Sequence, residues 1–501
     1  MCDNCLVATD DDQTAGRPSL RRTAARGSAV TLGAQVVRII IFLVGTIVLA
    51  RLIGPEDYGL FAMVVAITGI AEVFRDFGLS MSALRSKDLT QQQHSNLFWL
   101  NAAVGAALTV IVFLLSWPLA AFYGEPRLVE ITQLVSIVYF LGGLTAQFRV
   151  HINRSMRFVA LAVCDVVPPL IALATAAVIG FFGFGLVALV TQQIATAALT
   201  LLLTVILARW RPSLPRRTPG MKNLISFGVA FAATSVLTYA TRNVDSIAIG
   251  RVWGASQLGL YDRAFQLSVA PINQINVPMS RVAVPVLTRV VDDRKKYIAS
   301  LREAQLVAGY VTSSVLLVAG GLGVPLVTLL LGPEWGAAGV VFGILAIGSS
   351  FRAIQQVSYW MFMTQGLAAS QFRLYLVGQP IIVACLLAGL PWGPVGVAIG
   401  NALGYVIFWL LALLWVGRVS QLNVLPLMGD ALRIVLTWAA PAGLAALAVA
   451  LFVPLAPIWQ VLIGVAAALA WFLIAWVLIP RVRRDVATLL RFTRLALGGR
   501  S

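Results

Sequence analysis

Charge is what this chain has least of. Only 11% of its 501 residues are Asp, Glu, Lys or Arg, where a soluble protein carries about 25%. An ordinary water-soluble domain is thereby excluded. Histidine is nearly absent: His94 and His151 are the only two, so no HExxH zinc-protease helix can be built. No GxxxxGK[ST] segment occurs, so the chain contains no ATP motor of that type. No connection between apolar runs is long enough for a soluble catalytic domain, which argues against a membrane glycosyltransferase or polymerase. Cysteine is scarce too. Cys2 and Cys5 form a lone CxxC in a polar tail without the further ligands that zinc needs, and Cys164 and Cys385 sit in apolar runs as small packing residues. No metal, no cofactor and no catalytic residue is expected.

What the chain does have is apolar length. Hydrophobic residues make up 59% of it, in runs near the ~20 residues that cross a bilayer as a helix. The fold class expected is an all-α polytopic membrane protein of about 14 transmembrane helices. The spans are placed at 29–51, 57–80, 95–117, 128–148, 159–181, 185–208, 224–249, 257–280, 303–325, 338–362, 371–390, 395–416, 431–453 and 457–479. Residues 1–27 are polar, and the run that follows is too long for a signal-peptide core. Alternate loops differ sharply in charge. One side collects twenty-six Lys and Arg, from the N-terminal tail through Arg209–Lys222 to the C-terminal tail, and the other only Arg51, Arg127 and Arg251. By the positive-inside rule both termini are cytoplasmic, which requires an even number of spans. The net charge of +17 thus reflects membrane orientation, and nucleic acid is not an expected partner, since no basic surface exists beyond short loops. In the tail, Val482, Val486, Leu489 and Leu490 recur at helical spacing among arginines, the pattern of an interfacial helix on anionic lipid.

The chain repeats itself at an offset near 200 residues. ARLIGPEDYGLF at 50–61 aligns with GRVWGASQLGLY at 250–261, FYGEP at 122–126 with LLGPE at 330–334, and GFGLVALV at 183–190 with GPVGVAIG at 393–400. A six-helix unit is even, so the two copies are parallel repeats about an axis along the membrane normal, a plan that places a transporter's substrate between its lobes. The expected domains are a polar tail (1–28), an N-terminal six-helix lobe (29–208), a basic linker (209–223), a C-terminal six-helix lobe (224–416), two extra helices (431–479) and a basic interfacial tail (480–501).

A charge at mid-membrane costs roughly 2.5–3.5 kcal/mol on insertion scales and by default faces a wet, functional cavity. Polar stripes at helical spacing mark four spans: Thr31, Gln35 and Arg38 in the first; Thr68, Glu72, Arg75 and Asp76 in the second; Thr234, Thr238, Arg242 and Asp245 in the seventh; Asp262, Gln266, Asn273 and Asn276, with Arg263 beside them, in the eighth. These spans are equivalent pairs under the repeat, and the expectation is that they line one central cavity. Asp245 and Asp262 are candidate partners of Arg242 and Arg263. The competing reading is a set of lobe-stabilising ion pairs. Asp165 and Arg352 stand isolated in other spans.

Residues 49–90, QHSNLFWLN at 93–101, NRSMRFVALAVCD at 153–165, GFGLVALV at 183–190 and GLYDRAFQL at 259–267 resemble bacterial polysaccharide flippases. These form the O-antigen and exopolysaccharide branch of the multidrug/oligosaccharidyl-lipid/polysaccharide exporter superfamily. The resemblance implies two six-helix lobes facing each other in a V, with two added helices, in the bacterial inner membrane. It implies a cationic cavity lined by spans 1, 2, 7 and 8. It also implies an undecaprenyl-diphosphate-linked oligosaccharide flipped from the cytoplasmic to the periplasmic leaflet for lipopolysaccharide or exopolysaccharide synthesis, with a polymerase and glycosyltransferases as pathway partners. On this reading Arg38, Arg75, Arg242 and Arg263, with Gln35 and Gln266, bind substrate, and Glu72, Asp76, Asp245 and Asp262 couple the cycle to H+ or Na+. The rival functions are a peptidoglycan-precursor flippase, a drug/cation antiporter of the same superfamily, or a scaffold subunit of a polysaccharide-assembly complex. Arg38→Ala and Arg242→Ala chains are expected to fold and to fail in complementing a flippase-null strain; full complementation by both would remove these arginines from the site.

Overall fold

The computed structural model describes residues 20–76, 83, 90–216, 239 and 243–497. Among the described residues all regular structure is helical. The first lobe contains α1 (Leu20–Leu52), α2 (Pro55–Asp76), α3 (Gln91–Tyr123), α4 (Arg127–Arg154), α5 (Phe158–Phe181) and α6 (Gly185–Ala208). The second contains α7 (Val244–Arg289), α8 (Arg294–Gly321), α9 (Gly323–Leu331), α10 (Gly336–Ile354), α11 (Gln356–Thr364), α12 (Ala368–Gly389) and α13 (Gly393–Ser420). Then follow α14 (Leu425–Arg433), which runs through a π-turn into α15 (Ala440–Phe452), α16 (Pro457–Leu478) and the terminal α17 (Pro480–Leu497).

Ten segments among the described residues are long and apolar enough to cross a membrane, and Ala368–Ser420 holds two of the expected spans. The second and eighth expected spans are α2 and α7, and most of the seventh lies outside the described residues. Helix α1 begins at Leu20, ahead of an apolar span at Val30–Leu52 that agrees with the first expected span. One boundary differs from the sequence reading. The end of span 7 and all of span 8 are one chain of helix, bent at Gly254, whose φ of 81° takes the place of a loop. The sequence sets the other ends. Thr90 and Gln93 form a reciprocal capping box that starts α3, and the Asp293 carboxylate accepts from the amides of Lys295 and Lys296 to start α8.

Aligned glycines of the repeat share a backbone conformation. Gly124 and Gly332 both close a helix at positive φ, 75° and 113°, and Gly183 and Gly393 stand at the turns before α6 and α13 at 85° and 69°. Where α2 crosses α7 the two lobes meet backbone to backbone. A Cβ at Gly59 would collide with the Ala255 carbonyl, and a Cβ at Gly259 with the Pro55 carbonyl. Residues 55 and 59 are the repeat partners of 255 and 259, so the contact maps onto itself under the pseudo-two-fold axis. Helices approach this closely only where neither presents a side chain.

Cross-lobe bonds surround the crossing. Arg51 Nε donates to the Leu330 carbonyl at 3.0 Å and its Nη2 to that of Leu329. Trp335 Nε1 donates to the Ala50 carbonyl at 2.8 Å, and its ring meets Tyr58 edge-on at 5.5 Å. Arg251 reaches the opposite way, over the Phe122 ring at 5.9 Å. Phe122 and Leu330 are aligned positions of the repeat, so the two arginines reach across reciprocally. The face poor in basic residues is thereby sealed.

On the basic face, residues 209–216 run as a strap along the start of α3. Gln92 and Trp99 donate to the carbonyls of Leu214 and Ser213, and Asn96 pairs with both backbone groups of Arg216. The C-terminal helix is tied to protein as well as suited to lipid. Val482 and Asp485 are buried, and Asp485 accepts from Tyr310 at 2.9 Å and from Arg433 at 2.8 Å. Arg433 and Arg302 also hold Asp430, whose side chain is 2% exposed.

Two outcomes follow. In a cysteine-free background, Leu258→Cys, a fully buried position, should resist an impermeant maleimide. It should become reactive when Gly59→Val pushes α2 from α7, an overpacking that costs about 1–3 kcal/mol; continued protection would contradict the crossing. Asp430→Ala removes the partner of the part-exposed Arg302 and leaves Arg433 with Asp485 alone; it should destabilise the chain by about 1–3 kcal/mol, read as a lowered midpoint of thermal unfolding in detergent.

Candidate functional site

The sealed crossing leaves space below it, toward the basic face. A cavity of 620 Å3 lies between the lobes, walled by α1, α2, α5, α6 and α7. Its charged lining consists of Arg38 and Arg263, joined by Gln35, Gln192, Gln266, Asn273 and Gln274. Arg38 projects from α1 with no ion-pair partner among the described residues. Arg263 is held from two sides. Its guanidinium stacks on the Tyr58 ring at 4.1 Å, a cation–π contact across the lobes, and Nη2 meets Asp262 at 3.2 Å. Its buried Nε has no hydrogen-bond partner among the described residues. Asp262 also accepts from Gln266 at 2.8 Å. With Asp262 paired to Arg263 alone and Arg38 unpaired among the described residues, the cavity is cationic.

A second cavity of 1010 Å3 adjoins the first along Phe61, Leu189 and Gln192, and lies within the first lobe among α2, α4, α5 and α6. Its charges are paired. Arg75 meets Glu72 at 2.7 Å and Arg149 meets Asp165 at 2.6 Å. Gly142 makes room for the Arg75 guanidinium, which a Cβ there would strike. The remaining polar lining is Thr145, Asn153, Gln193, Thr196 and Thr200.

The structure therefore brings Gln35, Arg38, Arg263 and Gln266 together, and sets Arg75 and Glu72 apart from them as a pair in the neighbouring chamber. Asp245 does not pair with an arginine among the described residues; it is 5% exposed and accepts from Tyr261 Oη at 2.8 Å and the Ser246 amide at 2.9 Å. Arg242, Thr234 and Thr238 lie outside the described residues, as do Cys2 and Cys5 and the side chain of Asp76. Thr68 and Asn276 are buried in helix packing, with Asn276 donating to the Ala353 carbonyl. Asp165 and Arg352, isolated in sequence, find Arg149 and the Tyr405 ring. The cavity wall also includes α5 and α6, which the sequence reading left out. The signal was present: Gln192, Gln193, Thr196 and Thr200 recur at helical spacing in an otherwise apolar span, but amides and hydroxyls carry no charge to flag them.

A family model described as "Polysaccharide biosynthesis protein" matches residues 48–341. Among curated proteins, the lipopolysaccharide biosynthesis protein WzxC of Escherichia coli (strain K12) is 24% identical over 391 residues, covering 78% of this chain and 79% of its own. The teichuronic acid biosynthesis protein TuaB of Bacillus subtilis (strain 168) is 26% identical over 61% of this chain and 64% of its own. Among solved structures, the lipid II flippase MurJ in an inward closed conformation is similar in fold, with a TM-score of 0.69 at 16% identity over 90% of this chain and 99% of that one.

Double replacement of Glu72 and Arg75 by Leu should cost less stability than Glu72→Leu alone, because the single change leaves a guanidinium unpaired in the chamber wall; thermal unfolding of the purified variants measures the difference, and equal losses would contradict the pairing.

Proposed function

The chain belongs to the polysaccharide biosynthesis protein family, and on that premise we propose that it flips an undecaprenyl-diphosphate-linked oligosaccharide across the bacterial inner membrane. The observation that carries the reading is the cationic cavity between two lobes sealed at one face. Guanidinium groups meet diphosphate oxygens through charge-assisted, bidentate hydrogen bonds. Arg38 has no competing acid among the described residues, and Arg263 presents an unused buried Nε–H. Gln35 and Gln266 add amide donors beside them.

The basic face is the cytoplasmic one by its loop charges. The lobes then stand closed toward the periplasm, with the cavity positioned to receive a headgroup from the inner leaflet. Transport proceeds as the two parallel repeats rock about the substrate: the crossing of α2 and α7 parts, the headgroup leaves on the outer side, and the polyprenyl tail stays in lipid throughout. H+ or Na+ coupling falls to the acids of α2 and α7, Glu72, Asp76, Asp245 and Asp262. The polymerase and glycosyltransferases of the same pathway consume and supply the cargo. A drug/cation antiporter reading fits the cavity less well, because Arg38 and Arg263 repel an organic cation.

In proteoliposomes, Arg263→Ala should slow flipping of a fluorescent undecaprenyl-diphosphate-linked sugar. A lost hydrogen bond to a charged group costs about 1.5–3 kcal/mol, about ten- to a hundredfold in rate, with Arg263→Lys retaining part of it. An unchanged rate in Arg263→Ala and Arg38→Ala together would remove the assignment.

A further inference from the structure

The two lobes are repeats in backbone but not in what they enclose. Of the 24 residues of α6, 6 are buried, against 15 of the 28 residues of its counterpart α13. The first lobe is hollow where the second is filled, the latter by buried Phe351, Trp360, Phe408 and Trp409. The positive-φ turns Met156 and Gly366, and likewise Gly183 and Gly393, put the copies in register at an offset of 210 residues here. At that register Gln192, Gln193, Thr196 and Thr200 of α6 correspond to Ala402, Leu403, Val406 and Leu410 of α13. The pair Arg149 and Asp165 corresponds to Tyr359 and Tyr375. The fold therefore does not require these polar groups, since the second copy does without them.

Polar groups in a bilayer that serve no structural need mark a ligand path. The chamber they line, at 1010 Å3, is as large as the upper end of ligand pockets, roughly 300–1,000 Å3, and holds several sugar rings. Its polar lining, set among apolar side chains, is amide and hydroxyl with two cancelled charge pairs. The Gln193 Oε1 is buried without a hydrogen-bond donor among the described residues. The hydroxyls of Thr145, Thr196 and Thr200 each donate to a carbonyl one turn back, leaving their oxygens free to accept.

From this we infer that the chamber inside the first lobe is the glycan site, and that it selects uncharged sugars over acidic ones. The inference rests on the flippase reading and divides its cargo: diphosphate to the cationic cavity, the first sugars to the charge-balanced chamber beside it. Sugar hydroxyls satisfy amide and threonine oxygens by donating to them. A uronic acid carboxylate cannot donate, finds both guanidiniums occupied, and meets the like charges of Glu72 and Asp165. Such juxtaposition discriminates against a wrong partner more strongly than any added attraction.

The test uses the purified full chain in proteoliposomes and three probes: undecaprenyl diphosphate alone, the same lipid carrying a neutral trisaccharide, and the same trisaccharide with one uronic acid. The parent should flip the neutral probe at least about tenfold faster than the acidic one. Asp165→Asn, which frees Arg149, should narrow or reverse that ratio, a gain that misfolding cannot mimic. Gln193→Leu should slow the neutral probe while leaving binding of sugar-free undecaprenyl diphosphate unchanged, which also reports that the variant is folded. Equal rates for neutral and acidic probes in the parent, or a ratio untouched by both substitutions, would overturn the glycan site while leaving the flippase reading intact. A parent that moves neither glycosylated probe would overturn the flippase reading, and the glycan site with it.

Discussion

Two helix backbones touch where neither has a side chain, and the working geometry depends on that contact. Gly59 and Gly259 let α2 and α7 cross close enough that each would meet the other's carbonyl. Because the crossing lies on the pseudo-two-fold axis, a single geometric solution serves both lobes, and Arg51 and Arg251 reach across it in opposite directions. The contact is tight but chemically thin: carbonyl hydrogen bonds, an indole donor and an arene under a guanidinium. Such contacts can be made and broken without stranding a buried charge, as a moving interface requires, whereas the buried Asp430 network that ties α8 to α14 suits a joint that stays shut.

The crossing closes one face and leaves a wedge of space toward the other, and the charges within it follow a division. In the cavity between the lobes, Arg263 has Asp262 beside it and Arg38 has no acid among the described residues. In the chamber inside the first lobe, each guanidinium has its own carboxylate. A membrane interior penalises every one of these groups. The Arg149–Asp165 pair and the amides and hydroxyls of α6 have no counterpart at the aligned positions of the second copy, which marks them as groups the scaffold does not require.

Much of this was legible in the sequence because the repeat left its marks at constrained positions. Arg51, Gly54, Gly59 and Leu60 recur at 251, 254, 259 and 260, and the structure places them at the closed face, where close approach and a kink demand glycine. The polar stripes of α1, α2 and α7 stood out because charge in an apolar span is rare. What stayed hidden was of two kinds. Neutral polar residues on α6 average out against their apolar neighbours. Pairings such as Arg149 with Asp165, or Arg433 with Asp485, join residues 16 and 52 positions apart that only packing brings together. The tail helix illustrates the second kind: its period announced an interfacial helix, while the seat of Asp485 against Tyr310 depends on a fold that periodicity does not specify.

The central claim is that the sealed face must open once per transport cycle. A Cβ built on Gly54 lies 3.7 Å from the Glu334 carboxylate of the other lobe, so cysteines at these two positions are within reach of a short reducible cross-linker. Flipping of lipid-linked oligosaccharide in proteoliposomes should stop when Gly54→Cys and Glu334→Cys are bridged and return when the bridge is reduced. Undiminished flipping by the fully bridged protein would contradict it.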